Sequence, residues 1–308
     1  MIFHIGLEKT GTDSFQRFCR EQTALLKRHA TLYPTRSLAF GVYNHEPLVA
    51  CYLDYHDFSI RSAGRPRADV LRSLMAEIDA ASLPKVLISG EHFSSRFRQA
   101  EIARLAADFA GFACTIAVVV REHRARLYSA YSQAVLSGRD MTLDAYCDEV
   151  FDPANWYMRY ATTIGAWEAA FGRENVMVFR HARGQDIIPV LAAGLISPDI
   201  PMGESGRYWD NLSMGPTATE RLRRINSAVN GIPGASAPAI RRALRGPRRN
   251  LARLLARLAG TNDKGRPSLS TRNERRLADI AEADDAWLER RYGIRPGEAA
   301  RPAVTATR

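Results

Sequence analysis

The chain reads as an α/β protein with a mainly parallel central sheet flanked by helices and a basic, helical C-terminal part. Three observations predict that class. Short apolar runs alternate with segments of helical period, the pattern of strands buried between helical layers. The first such run opens directly into a glycine-bearing loop and a helix. A length of 308 residues at 46% hydrophobic content can bury a large core.

Ile2 to Ile5 form the first strand. Gly6, Lys9, Thr10, Gly11 and Thr12 occupy the loop, and Phe15, Phe18, Cys19, Thr23, Leu25 and Leu26 mark the helix after it. From Leu32 to Arg67 the chain is polar and aromatic, with Tyr43, His45, Tyr52, Tyr55, His56 and Phe58 but no clean period. A stretch of that length without regular structure is often functional. A helix over 68–81 leads to the strand Lys85-Val-Leu-Ile-Ser89. A second, over 99–109, leads to Thr115-Ile-Ala-Val-Val-Val120, a β-branched run suited to a buried parallel strand. Trp156, Tyr160, Ile164 and Trp167 set a helix over 156–171, stopped at Gly172, before the strand Asn175-Val-Met-Val-Phe179. Helices are expected over 217–230 and 270–292, the last ended by Gly293.

Strand, glycine-bearing loop and helix N-terminus together form a phosphate cradle. Gly6 and Gly11 allow sharp turns and close approach of a ligand to the backbone. Lys9 adds a full charge, and Thr10, Thr12 and Ser14 add hydroxyl donors. The nucleotide-triphosphate loop places its lysine after the second glycine. Here Lys9 precedes Gly11, which counts against an ATPase or kinase. A second anion site is suggested by Arg121, at the carboxyl end of the 115–120 strand, where open α/β sheets bind ligands. Ser129 follows eight residues later, about two helical turns into the next element.

His4-Ile-Gly-Leu-Glu-Lys-Thr-Gly-Thr-Asp-Ser-Phe-Gln16 resembles the 5′-phosphosulfate-binding loop of sulfotransferases that use 3′-phosphoadenosine 5′-phosphosulfate (PAPS), in particular bacterial carbohydrate-type members. Asp13 departs from their pattern and is expected to face away from the loop. The resemblance implies a P-loop-like sulfotransferase architecture and sulfuryl transfer to a hydroxyl of a carbohydrate or glycolipid. It implies that Gly6, Lys9, Thr10, Gly11, Thr12 and Ser14 hold the 5′-phosphosulfate, with Lys9 also stabilising the leaving nucleotide. Arg121 and Ser129 would hold the 3′-phosphate, since the planar arginine fork matches phosphate geometry. The acceptor hydroxyl must lose a proton to a nearby base. Glu91, at the end of the 85–89 strand, is favoured for that task; His92 and His45 are the other candidates. Tyr43 and His45 lie in the stretch expected to shape the acceptor site. No obligatory metal is expected, because a sulfuryl group needs less charge neutralisation than a triphosphate. Asn211-Leu-Ser213 before a helix is a weaker point of similarity. The rival readings are a P-loop kinase or nucleotidase, and a catalytically degenerate protein that binds an anionic glycan or a membrane surface.

The C-terminal third changes character. Residues 221–262 hold ten arginines and no acidic residue. The whole chain has 43 basic and 33 acidic residues, so these ten account for the entire excess of +10. Three readings fit the run: a solvated helical insertion, contact with an anionic acceptor, or peripheral docking on an anionic membrane face. Nucleic-acid binding is disfavoured, since the segment has no aromatic residue and matches no nucleic-acid module. Gly246-Pro247 should interrupt a helix over 238–259. The expected organisation is a nucleotide-binding core over 1–230, a basic helical extension over 231–294 and a disordered tail over 295–308. Cys19, Cys51, Cys114 and Cys147 lack metal-ligand spacing, and the chain shows neither a leader-like segment nor a long apolar run. A cytoplasmic protein with reduced thiols is expected, with peripheral contact at the inner membrane face through the arginine run.

Overall fold

A computed structural model describes residues 1–36, 43–55, 65–182, 184–202, 208, 214–232, 243–259 and 267–295. His56, Phe58, Asn211-Leu-Ser213, Arg241, Arg242 and the tail beyond Arg295 lie outside the described residues. Among the described residues no helix is long and apolar enough to cross a membrane.

The chain divides into two compact units. The first comprises Met1–Glu122, Arg159–Trp209 and Ala283–Arg308; the second comprises His123–Met158 and Asp210–Glu282. The expected boundary at residue 230 therefore falls inside the second unit, and the last helix is shared between the two sets.

The first unit is built on a five-stranded, all-parallel sheet. In chain order its elements are β1 (Ile2–Gly6), α1 (Thr12–Glu21), α2 (Thr23–Arg28), β2 (Thr31–Leu32), α3 (Glu46–Ala50), α4 (Arg67–Ala81), β3 (Lys85–Ser89), α5 (His92–Arg96), α6 (Gln99–Asp108) and β4 (Thr115–Arg121). After the second unit's α7 (His123–Leu136) and α8 (Leu143–Val150), the first resumes with α9 (Tyr160–Phe171), β5 (Val176–His181) and α10 (Ile187–Leu195). The strand order is β2-β3-β1-β4-β5, with β1 in the middle. Alternate residues of each strand serve opposite faces. Phe3, Ile5, Ile88, Ile116, Val118 and Val120 enter one buried cluster with Phe93, Trp167 and Leu288. Leu87, Ala117, Val119 and Phe179 enter another with Phe15, Phe18, Ile188 and Leu191. Helices thus cover both faces, which is why the strands are mostly apolar on both sides instead of alternating strictly with polar residues.

The second unit is helical. With α7 and α8 it contains α11 (Pro216–Asn230), α12 (Arg245–Ala259) and the first part of α13 (Thr271–Tyr292). Leu127, Val135, Tyr146, Val150, Leu222, Leu255 and Leu277 share its core. Asp144 accepts from Ser270 Oγ at 2.8 Å and Asn273 Nδ2 at 2.8 Å, tying α8 to the start of α13. Gly246 and Pro247 do not break α12. They sit in its first turn, where a missing N–H costs no hydrogen bond. The expected helix over 156–171 starts four residues late, at Tyr160. Asp284 caps it, accepting from the N–H groups of Tyr160 at 2.8 Å and Ala161 at 2.9 Å.

Candidate functional site

β1 lies between β3 and β4, and the chain after it runs first to the β3 side and only later to the β4 side. The loop leaving its carboxyl end therefore occupies the topological switch point of the sheet, the usual ligand crevice. Three loop residues take left-handed backbone angles: Gly6 (φ 68°), Lys9 (φ 70°) and Gly11 (φ 86°). For Lys9 that conformation is strained, and strain of this kind concentrates at functional sites. Thr10 Oγ1 donates to the Leu7 carbonyl at 2.6 Å, and Arg121 Nη1 donates to the Lys9 carbonyl at 2.9 Å. Among the described residues, the N–H groups of Lys9 and Gly11 meet no acceptor, and Lys9 Nζ meets no hydrogen-bond or ion-pair partner. The N-terminus of α1, at Gly11, has no side-chain cap. These unspent donors and the half-exposed ammonium match an anion.

The end of β3 is pressed against this loop. A Cβ on Gly6 would lie 3.2 Å from both Cα and Cβ of Glu91, so only glycine allows the two strand ends to meet. Thr12 Oγ1 donates to Glu91 Oε2 at 3.1 Å. Burial, with the nearby charge of Asp13, holds the Glu91 carboxyl well above its usual range, against the pull of Lys9. Asp13 is exposed, yet its charge still reaches Glu91. Buried Thr10 and Thr12 spend their hydroxyl protons on protein acceptors, so they brace the site instead of donating outward. Ser14 is also buried, in the first turn of α1.

His92 is buried, with Nδ1 3.5 Å from Glu46 Oε1; Asn44 Nδ2 donates to the same oxygen at 3.2 Å. Glu8 stands 3.4 Å from Arg96. Burial opposes its ionisation, but His92, Arg96, Ser95 and Lys9 outweigh that and hold its carboxyl below the usual range. His45 is fully buried. Its Nε2 faces the Pro34 carbonyl at 3.0 Å, and its Nδ1 accepts from the Ser89 N–H at 3.0 Å. Burial pushes its pKa down to about 4, opposed by the backbone contacts. With both ring nitrogens engaged, His45 anchors the end of β3 and presents no nitrogen to an acceptor. Tyr43 accepts at its carbonyl from the Tyr33 hydroxyl at 2.6 Å, and its ring lies 5.4 Å from the Arg17 guanidinium.

The far wall comes from β5 and α10. A Cβ on Gly11 would sit 2.9 Å from Ile187 Cγ2 and 3.7 Å from His181 Cε1. Burial, then the Arg121 charge, depresses the pKa of His181. The Tyr160 hydroxyl donates to the Arg121 carbonyl at 2.6 Å, fixing the end of β4. Lys9, Thr10, Gly11, Thr12, Glu91 and Arg121 are thus gathered around one loop. Ser129 lies on α7, within the second unit. Glu8, Glu46, Arg96 and His181 escaped the sequence reading. Only His181, at a strand's carboxyl end, carried a signal of its own. Among the described residues no cluster of three or more His, Cys, Asp or Glu side chains is placed to hold a metal ion.

No protein-family model matches the chain, and no curated protein does. Among solved structures, the chain is similar to the crystal structure of a sulfotransferase from Alicyclobacillus acidocaldarius. Identity is 17% and the TM-score 0.45, over 83% of this chain and 95% of that one. A likeness this distant assigns no activity.

Proposed function

We propose that the first unit binds PAPS and transfers its sulfuryl group to a hydroxyl of a carbohydrate acceptor. One observation carries the reading: a lysine ammonium that makes no hydrogen bond or ion pair among the described residues stands on an anion-binding loop, and its charge acts on a neighbouring buried carboxyl of raised pKa. Those are the cation and the proton acceptor that sulfuryl transfer requires. Glu91, as carboxylate, takes the acceptor's proton while the acceptor oxygen bonds to sulfur. The bond from sulfur to the bridging phosphate oxygen breaks, and the electron pair leaves with the nucleotide 3′,5′-bisphosphate. Lys9 and the N–H groups of residues 9 and 11 offset the charge that develops on that phosphate. Arg121, anchored on the Lys9 carbonyl, would carry the 3′-phosphate and couple it to the loop. Glu46, held by Asn44, places a carboxylate 3.5 Å from His92 Nδ1, next in sequence to the base. Four free cysteines support a reducing, cytoplasmic setting.

Calorimetric titration of 3′-phosphoadenosine 5′-phosphate against adenosine 5′-monophosphate tests the reading. The 3′-phosphorylated nucleotide should bind at least about tenfold more tightly, as expected of one charge-assisted contact. Equal affinities, or magnesium-dependent ATP turnover, would overturn it.

A further inference from the structure

Helix α12 presents a solvent face that the nucleotide chemistry leaves unexplained. Its inner face, Arg248, Ala252 and Leu255, is buried. Leu254 and Leu258, one turn apart, are 51% and 66% exposed. Beside them run Arg249, Arg253 and Arg257, also one turn apart and exposed. The apolar stripe of the helix (Leu251, Leu254, Leu255, Leu258) is therefore wider than the surface it covers. Ile232, just after the neighbouring α11, is 59% exposed. On α11, Glu220 pairs with Arg223 at 2.7 Å and Arg224 at 2.9 Å.

We propose that α12 docks the protein on an anionic lipid bilayer, Leu254 and Leu258 entering the acyl boundary and Arg249, Arg253 and Arg257 lying among the headgroup phosphates. A helix with leucines beside a guanidinium row has the make-up of an interfacial anchor, in which apolar burial and electrostatic attraction act together. A soluble polyanion would use the arginines and leave the leucines in water. Single-stranded nucleic acid would call for aromatic rings to stack on, and α12 has none.

The full-length protein should co-sediment with phosphatidylcholine vesicles containing phosphatidylglycerol and not with phosphatidylcholine alone. Replacing Leu254→Ser and Leu258→Ser together should lower the partition coefficient at least about tenfold at unchanged helix content. Arg253→Gln and Arg257→Gln should each lower it about fivefold. Absence of vesicle binding by the parent protein overturns the proposal. So does binding indifferent to the leucine pair. Tighter binding to heparin or duplex DNA than to vesicles, again indifferent to the leucines, assigns the arginine row to a polyanion and also overturns it.

Discussion

Lys9 is the one residue of the loop that accepts backbone strain and still keeps a long charged side chain (φ 70°). A left-handed residue with a Cβ costs about 1–2 kcal/mol, so glycine would serve the turn as well or better. The lysine is explained by its ammonium. Lys9→Gly should leave stability within about 1 kcal/mol of the parent, because relief of strain offsets the added freedom of the unfolded chain. Lys9→Ala and Lys9→Gly should both cut kcat with PAPS by about a hundredfold or more while changing the bisphosphate Kd far less, since the contact strengthens in the transition state. Unchanged turnover would remove Lys9 from the mechanism. For Glu91 the direction of pH dependence follows from its raised pKa. Activity should rise with pH and level off above an inflection higher than an ordinary carboxylate's, and Glu91→Gln should abolish the rise with a loss of about 100- to 10,000-fold. The same group bears on stability. Its folded-state pKa lies above the unfolded value, so its favourable contribution is complete below about 4.5 and is lost as pH rises through the folded pKa. Glu91→Gln should therefore raise the thermal midpoint more at pH 8 than at pH 4; the reverse order would contradict a buried, neutral-preferring carboxyl.

At the scale of elements, the site depends on how three strand ends are held. His45 fixes the end of β3 through the Ser89 N–H and the Pro34 carbonyl. His4, on β1, reaches Ser89 Oγ from Nδ1 at 2.7 Å. Both rings are fully buried, and burial depresses their pKa values to about 4 and about 3. The unfolded chain takes up these protons below about 6.5, and the folded chain resists them. Stability should thus fall as pH drops from about 6.5 toward 4, each histidine contributing up to about 3 kcal/mol. Urea unfolding at stepped pH would show it, and His45→Gln should flatten the profile; an unchanged slope would mean that His45 is protonated in the fold. Four strands were legible because each is a continuous apolar run. β2 was not, since it has two residues and is defined by pairing with β3. The uniformly apolar α10 lacks an amphipathic period, and the start of α9 is set by Asp284, more than a hundred residues away.

At the scale of the whole chain, charge and chemistry are separated. The arginine excess lies in residues 221–257, while the candidate site is built from Met1–Glu122 and Arg159–Trp209. Salt should accordingly weaken vesicle binding by α12 far more than bisphosphate binding at the Lys9 loop, where partial burial limits screening. The site was legible where it is local. Gly6, Lys9, Gly11 and the strand before them lie within a dozen residues, and the backbone freedom of the two glycines favours a turn into a helix. Glu91 and Arg121 were legible as strand ends, because parallel sheets collect ligand-facing residues there. Tertiary structure alone decided the rest: that Arg121 braces the Lys9 carbonyl, that His45 is spent on backbone, that Thr10 and Thr12 point their protons inward, and that Glu46 stands beside His92 while Glu8 pairs with Arg96. Protonation state and hydrogen-bond partner are properties of an environment assembled from distant segments, whereas turn geometry and strand burial are written in consecutive residues.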